Sequence, residues 1–250
     1  ITTTSPTPVV EDLFGVGSGP MLEPKMAKIL HTWVAKALFA CKRARPDTHT
    51  AVTLLCTRAR TPNRSDWRKL IRLMQYLKGT KDDTLTIGID DLNVVKWYAD
   101  ASFAVHPDFK SHTGACASLV TGAAMSMSRK QKLNTRSSTE AELVAVDDAI
   151  NLILWTKLFL EEQGYKVDKN FLFQDNKSAI LLEKNGKKSS SKRTRAINIR
   201  YFFVTDQAEK GNLRIDYCPT GEMVADFFTK PLQGDAFERF RAQIMGKVAM

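Results

Sequence analysis

One stretch limits the possible folds more than any other. It opens with Ser137-Ser138-Thr139-Glu140-Ala141-Glu142 and continues as an apolar run to about Gly164. Ser137-x-x-Glu140 and Thr139-x-x-Glu142 both have the spacing of a capping box, which marks a helix start. Ala141, Leu143, Val144, Ala145, Val146, Ala149, Ile150, Leu152, Ile153, Leu154, Trp155, Leu158, Phe159 and Leu160 follow. At helical pitch they cover most of the cylinder, so the expected helix is buried on several sides. About 25 residues at roughly 1.5 Å each make a rod of about 37 Å, enough to cross a small domain. Glu142 then lies in the first turn of a central helix, either as a plain cap or as one member of a cluster of acids.

The rest of the chain must supply the layers around that rod. Hydrophobic residues make up 43% of the 250, enough for a sizeable core, and the net charge of +10 favours a polyanionic partner or a solvated basic surface. Cys41, Cys56, Cys116 and Cys218 are far apart and share no zinc spacing with His31, His49, His106 and His112. That usage suits a reducing compartment. No apolar run reaches membrane-spanning length, because Asp147, Asp148 and Asn151 interrupt even the longest. The first residue is Ile1 and no secretory signal follows it, so the chain reads as cut from something longer.

Four segments are expected. Residues 1–24, rich in Thr, Pro and Gly, read as a linker or irregular arm. Residues 25–92 read as a small helical segment: helices over 25–42, 48–58 and from Ser65 to Gly79, then a strand over 84–89. Residues 93–232 change to strand, strand, strand, helix, strand, helix, helix, strand, helix, which implies an α/β fold with a mixed sheet flanked by helices. Its strands are expected at 94–100, 113–120, 123–128, 170–174 and 213–217. A helix over Glu222–Lys230 carries Asp226, and residues 233–250 form an amphipathic tail helix.

Three acids fall at strand ends or helix starts, where α/β folds place their sites: Asp100, Asp175 and Glu142. Asp226 is a fourth, set among Val224, Ala225, Phe227 and Phe228, and an acid in such surroundings needs a partner. Four convergent carboxylates repel one another unless cations lie between them. Mg²⁺ suits hard oxygen ligands, and two such ions about 3.5–4 Å apart can activate a water and stabilise the leaving oxygen of a phosphoryl displacement.

Several motifs carry a resemblance. Trp97-Tyr98-Ala99-Asp100-Ala101-Ser102, Ser137-Ser138-Thr139-Glu140-Ala141-Glu142, Gln174-Asp175-Asn176-Lys177-Ser178-Ala179 and Ala225-Asp226-Phe227-Phe228-Thr229-Lys230-Pro231-Leu232 resemble the ribonuclease H domain of copia-like LTR-retrotransposon polyproteins. Ser126-Met127-Ser128-Arg129-Lys130-Gln131-Lys132 and Ile199-Arg200-Tyr201 extend it. Arg45-Pro46-Asp47 and Tyr76-Leu77-Lys78-Gly79-Thr80 resemble the segment that connects the polymerase to that domain. The resemblance implies the ribonuclease H fold, with a five-stranded mixed sheet, and Mg²⁺-dependent cleavage of the RNA strand of RNA–DNA hybrids, with Mn²⁺ able to substitute. By position, Asp100, Glu142, Asp175 and Asp226 would be the catalytic, metal-binding acids. It also implies polymerase and integrase parts in the same polyprotein as partners, and an intracellular location in a cytoplasmic virus-like particle or the nucleus. Two departures stand out. The loop Cys218-Pro219-Thr220-Gly221-Glu222 lacks the histidine of many cellular ribonucleases H, and Thr194-Arg195-Ala196-Ile197-Asn198 replaces the usual Thr-Lys-His-Ile-Asp.

A hybrid presents two phosphate backbones and 2′-hydroxyls across a shallow groove. The basic run from Lys184 to Arg200, with Lys192, Arg193, Arg195 and Arg200, is the leading candidate for phosphate contact, or else a solvated loop. Arg129, Lys130 and Lys132 come second. Ser138 and Asn176, beside Glu142 and Asp175, could hydrogen-bond 2′-OH or phosphate oxygens, although Ser138 could equally be a cap. Two other functions fit the same features: a non-catalytic nucleic-acid-binding or assembly module, and an integrase- or transposase-type core.

Overall fold

Nine consecutive residues, Val94–Ser102, form β2, which has a parallel partner on one side in the main sheet and an antiparallel partner on the other. The structure is a computed structural model and describes residues 1–17, 19–90, 92–186 and 198–250, without the side chains of 198–201. Strand alternation sends the side chains of β2 to opposite faces. Val95, Trp97 and Ala99 enter one core with Val146, Ala149, Ile150 and Ile153 of the long helix α4 (Ser138–Glu162). Tyr98 enters a second core with Phe227, Phe228, Phe237 and Phe240.

The main sheet has five strands in the order β5–β3–β2–β6–β7. β3 (His112–Ser118) and β5 (Met125–Lys130) are antiparallel, whereas β6 (Lys169–Gln174) and β7 (Arg214–Tyr217) run parallel to β2. A two-stranded ribbon of β1 (Gly88–Ile89) and β4 (Val120–Thr121) stands beside it. Helices α5 (Lys177–Asn185), α6 (Asn198–Glu209) and α7 (Gly234–Ile244) complete the layers. The mixed α/β architecture expected from the sequence is therefore present.

Before the sheet come α1 (Pro24–Arg43), α2 (His49–Arg58) and α3 (Arg64–Gly79), which share a core of Leu30, Val34, Val52, Leu55, Leu70 and Leu73. The amino-terminal arm is irregular, but Val9, Leu13 and Phe14 are buried in this core. Lys69 Nζ donates to the Leu13 and Gly15 carbonyls at 2.6 and 2.5 Å, and Arg72 Nε donates to Val9 O at 3.0 Å, which satisfies backbone that has no ladder. Helix α2 lies on β5: Thr53 Oγ1 donates to Ser128 O at 2.9 Å, and Thr50 Oγ1 donates to Phe227 O at 2.8 Å. Asp47 of the Arg45-Pro46-Asp47 motif is fully buried beneath Arg45, Tyr76 and Arg241, which joins α3 and α7 at one point.

Several local expectations are corrected. The third helix is capped by Asn63, whose side chain accepts from Ser65 N and Asp66 N while Asp66 reciprocates, so Ser65 lies inside the first turn. The strand expected over 84–89 shrinks to Gly88–Ile89. Asp226 is held on a 3-10 turn, Val224–Phe228, separated from another at Thr220–Glu222 by an extended Met223 with ψ 89°. Met223, with non-helical backbone, breaks the segment into two short turns, and Pro231 stops it, so the α-helix expected over Glu222–Lys230 does not form. Helix α4 is buried on several sides only in its first two-thirds. Beyond Thr156 it leaves Leu158 and Phe159 exposed, and Trp155 just before them is also exposed, because the rod outruns the sheet it crosses.

Candidate metal centre

β2 and β6 are neighbours in parallel, with Tyr98 opposite Phe173, so Asp100 and Asp175, each two residues further on, emerge at the same end of the sheet. Asp100 is 2% exposed. Glu142 reaches the same point from the first turns of α4. Ser137 Oγ accepts from Glu140 N at 3.2 Å, which makes Ser137 the cap and frees Glu142 from that role. Gln131 Nε2 donates to Ala141 O at 2.9 Å, and Arg129 pairs with Asp148, about two helical turns further along α4. The segment after β5 is thus tied to the helix start and orients Glu142. One carboxylate oxygen from each of Asp100, Glu142 and Asp175 lies within 4.8 Å of the other two.

Asp226 stands outside that group of three but next to Asp100, on the other side of it. Gly114, directly opposite Asp100 on β3, makes this possible: a Cβ there would stand 2.6 Å from Thr229 Cγ2 and 2.9 Å from Ala225 O. With no side chain in the way, the Val224–Phe228 turn lies flat on the sheet. Thr229 Oγ1 donates to Asp100 Oδ2, and Ser102 Oγ donates to Thr229 O at 3.0 Å. Lys230 Nζ stands 2.7 Å from Asp226 Oδ1 and 4.0 Å from Asp100 Oδ2.

The electrostatics follow from this crowding. Burial, and then the charges of Asp100 and Asp175, push Glu142 well above the usual carboxylate range, although it accepts a hydrogen bond from the Ala101 backbone. Burial and Asp100 push Asp226 up to about 7 against the pull of Lys230. Burial works against the Lys230 ammonium, but Asp100, Asp226 and Asp175 together raise its pKa. Glu142 Oε2 is buried with no hydrogen-bond partner, a costly arrangement for a carboxylate. A donor set made only of carboxylate oxygens, one of them orphaned, fits a hard divalent cation such as Mg²⁺ or Mn²⁺.

The expected nucleic-acid contacts divide. Lys132 and Ser138 are exposed, and Ser138 lies one turn before Glu142 at the start of α4. Asn176 is half-buried, and its Oδ1 caps α5 by accepting from Ser178 N and Ala179 N, each at 3.1 Å. Its amide nitrogen is the atom left to meet a ligand. Arg129 and Lys130 are engaged with Asp148 and Asp108, the latter at 2.7 Å, so both enter any phosphate contact from an existing ion pair. Lys192, Arg193 and Arg195 lie outside the described residues, as does the side chain of Arg200. In the loop without histidine, Thr220 Oγ1 donates to Asp175 Oδ2 at 2.8 Å.

Three participants escaped the sequence reading. Thr229 and Lys230 lie in the quoted Phe-Thr-Lys-Pro motif, and the four-residue step from Asp226 to Lys230 was the available signal. Glu183 is fully buried, and Gln174, just before Asp175, donates to it at 2.7 Å when its amide nitrogen faces the carboxyl. The helical period of α5 places Glu183 on the face of Ala179 and Ile180, which was the available signal.

Comparison with known proteins gives transposon polyproteins among the relatives. No family model matches the chain. It is 32% identical over 215 residues to the retrovirus-related Pol polyprotein from transposon TNT 1-94 of Nicotiana tabacum, covering 85% of this chain and 16% of that protein. It is 32% identical over 202 residues to the corresponding polyprotein from transposon RE2 of Arabidopsis thaliana, covering 80% of this chain and 14% of the relative. The chain therefore spans about a sixth of the length of these relatives. Among solved structures, LC11-RNase H1, isolated from compost by a metagenomic approach, aligns with a TM-score of 0.39 at 14% identity, over 54% of this chain and 91% of that one. The motifs quoted at the outset lie within a chain that belongs, as one segment, to the retrovirus-related Pol polyproteins of transposons.

Proposed function

We propose that this chain is a divalent-metal-dependent endoribonuclease that cleaves the RNA strand of RNA–DNA hybrids during retrotransposon reverse transcription. The observation that carries the reading is the meeting of Asp100, Glu142 and Asp175 within 4.8 Å around an orphaned Glu142 oxygen. Asp226 completes the donor set, and Asp100 is the acid near both sides of it. Magnesium ions held there would supply positive charge to the scissile phosphate and lower the pKa of the attacking water. The chain's own groups bind and orient. Lys132, Ser138 and the Asn176 amide would meet phosphate or 2′-OH oxygens, and Thr229 and Thr220, hydrogen-bonded to Asp100 and Asp175, would fix their rotamers. The basic residues Lys192, Arg193, Arg195 and Arg200 would extend the contact along the backbone. Polymerase and integrase parts of the same polyprotein are the proposed partners, and a cytoplasmic virus-like particle or the nucleus is the proposed location. Among the described residues no helix is long and apolar enough to cross a membrane.

The test is cleavage of an end-labelled hybrid in Mg²⁺, with duplex DNA and single-stranded RNA as comparison substrates. Asp100→Asn and Glu142→Gln are each expected to lower cleavage by at least about 10³-fold while the chain stays folded. Undiminished cleavage by both variants removes the assignment. Binding without turnover in either metal favours a non-catalytic module, and preferential cutting of duplex DNA favours an integrase-type core.

A further inference from the structure

The acids of this centre do not share their counter-charge evenly. Among the described residues no lysine or arginine stands within 4.0 Å of the Glu142 or Asp175 carboxylates, whereas Lys230 Nζ lies 2.7 Å from Asp226 and 4.0 Å from Asp100. Its side chain is 36% exposed, while those of Asp226 and Asp100 are 8% and 3% exposed, so the ammonium forms the solvent-side cover of an otherwise buried pair. Pro231 follows it directly, and Asp226 O accepts from the backbone of both Thr229 and Lys230, at 3.2 and 2.9 Å. The base of the side chain is therefore fixed, and only its flexible stem can swing.

We propose that Lys230 is a tethered cation that holds the Asp100–Asp226 side of the centre and must withdraw before a divalent ion can bind there. The inference rests on the metal-centre reading above and deepens it: the two sides of the centre differ in affinity because one carries a built-in competitor. The Asp100–Glu142–Asp175 side fills first. The Asp226 side fills second, as the lysine stem swings outward to water or to a substrate phosphate, for which an ammonium is a natural partner. Lys230 is thus a positioning residue that sets the order of ion uptake.

Calorimetric titration of the full chain with MgCl₂ tests this. Wild type is expected to take up one ion, then a second at least about tenfold more weakly. Lys230→Met is expected to tighten the second step by about tenfold, roughly 1.4 kcal/mol, and to leave the first within about twofold. Lys230→Arg keeps the charge and is expected to restore the weak second step. A wild type that binds no divalent ion overturns the metal-centre reading and this inference with it. A wild type that binds while Lys230→Met binds no more tightly overturns this inference alone. If Lys230→Met fails to fold, the ¹⁵N signal of the Lys230 ammonium in the wild type decides. Movement in step with the second uptake supports displacement, and a signal unmoved at saturating Mg²⁺ overturns it.

Discussion

Replacing Gly114 with alanine tests how Asp226 comes to be part of the centre. The added methyl would lie 2.6 Å from Thr229 Cγ2, 2.9 Å from Ala225 O and 2.9 Å from Phe228 Cβ. All three are closer than real Cβ contacts allow. Thr229 cannot turn aside without giving up its bond to Asp100, Ala225 O is backbone, and Phe228 is fully buried. The turn must therefore lift from β3. Overpacking of this kind costs about 1–3 kcal/mol, and because two of the three contacts are not flexible side chains, about 2–3 kcal/mol is expected. A lift of about 1 Å would also carry Asp226 and Lys230 away from Asp100, for which roughly 10²-fold lower hybrid cleavage is expected. Urea unfolding gives the first quantity and initial rates on labelled hybrid the second. Gly221→Ala is the control, since its Cβ would meet nothing within 4 Å. It is expected to change stability by less than about 1 kcal/mol. A Gly114→Ala protein as stable and as active as wild type would refute the account of the close approach.

Acid should loosen the seam between the helical segment and the sheet. His49, His106 and His112 are buried there, with His106 Nε2 3.0 Å from His112 Nδ1 and His112 Nε2 2.8 Å from Ser128 Oγ, and burial brings them down to about 3, 4 and 3. The unfolded chain binds these protons first, so stability is full above about pH 6.5 and falls toward pH 4, by about 2 kcal/mol per histidine at pH 5; a flat urea midpoint from pH 7 to 5 contradicts this. Glu183 works in the opposite direction. Burial holds its carboxyl well above the usual range, so the folded state binds the extra proton and stability declines as pH rises above about 4.5. Glu183→Gln is expected to gain stability relative to wild type at pH 8 and not at pH 4, and an equal effect at both pH values counts against a neutral Glu183. Asn63→Ala removes both cap bonds of α3 and is expected to cost about 1–2 kcal/mol, read as a shift in melting temperature.

Asp100, Glu142 and Asp175 were legible because their positions follow from periodicity: two strands end and one helix begins, and parallel pairing brings those ends together. The mixed sheet was legible for the same reason, since alternating Val95, Trp97 and Ala99 require one covered face and Tyr98 between them requires cover on the other. Asp226 was found by its apolar surroundings and its motif, but its local geometry was misread, because a 3-10 turn between prolines has too few residues to show a period. Exposure of charged side chains was the least legible property. Arg129 and Lys130 look like free phosphate contacts in the sequence, yet each faces an acid, Asp148 or Asp108, at a separation along the chain that no local pattern encodes. The arm was read as irregular because it has no repeat. Its burial depends on lysine and arginine stems of α3 that reach its carbonyls, and composition alone carries no trace of that.

Helix α2 touches the sheet and the Asp226 turn at two places that matter: β5, through the Ser128 carbonyl, and the carbonyl of Phe227, next to Asp226. Trimming the protein back to residue 93 would therefore uncover a hydrogen-bonding strand edge and loosen the floor under the fourth acid. A shortened version would be expected to pair through that bared edge and to need more magnesium, so the leading helices act as a brace for chemistry carried out elsewhere in the chain.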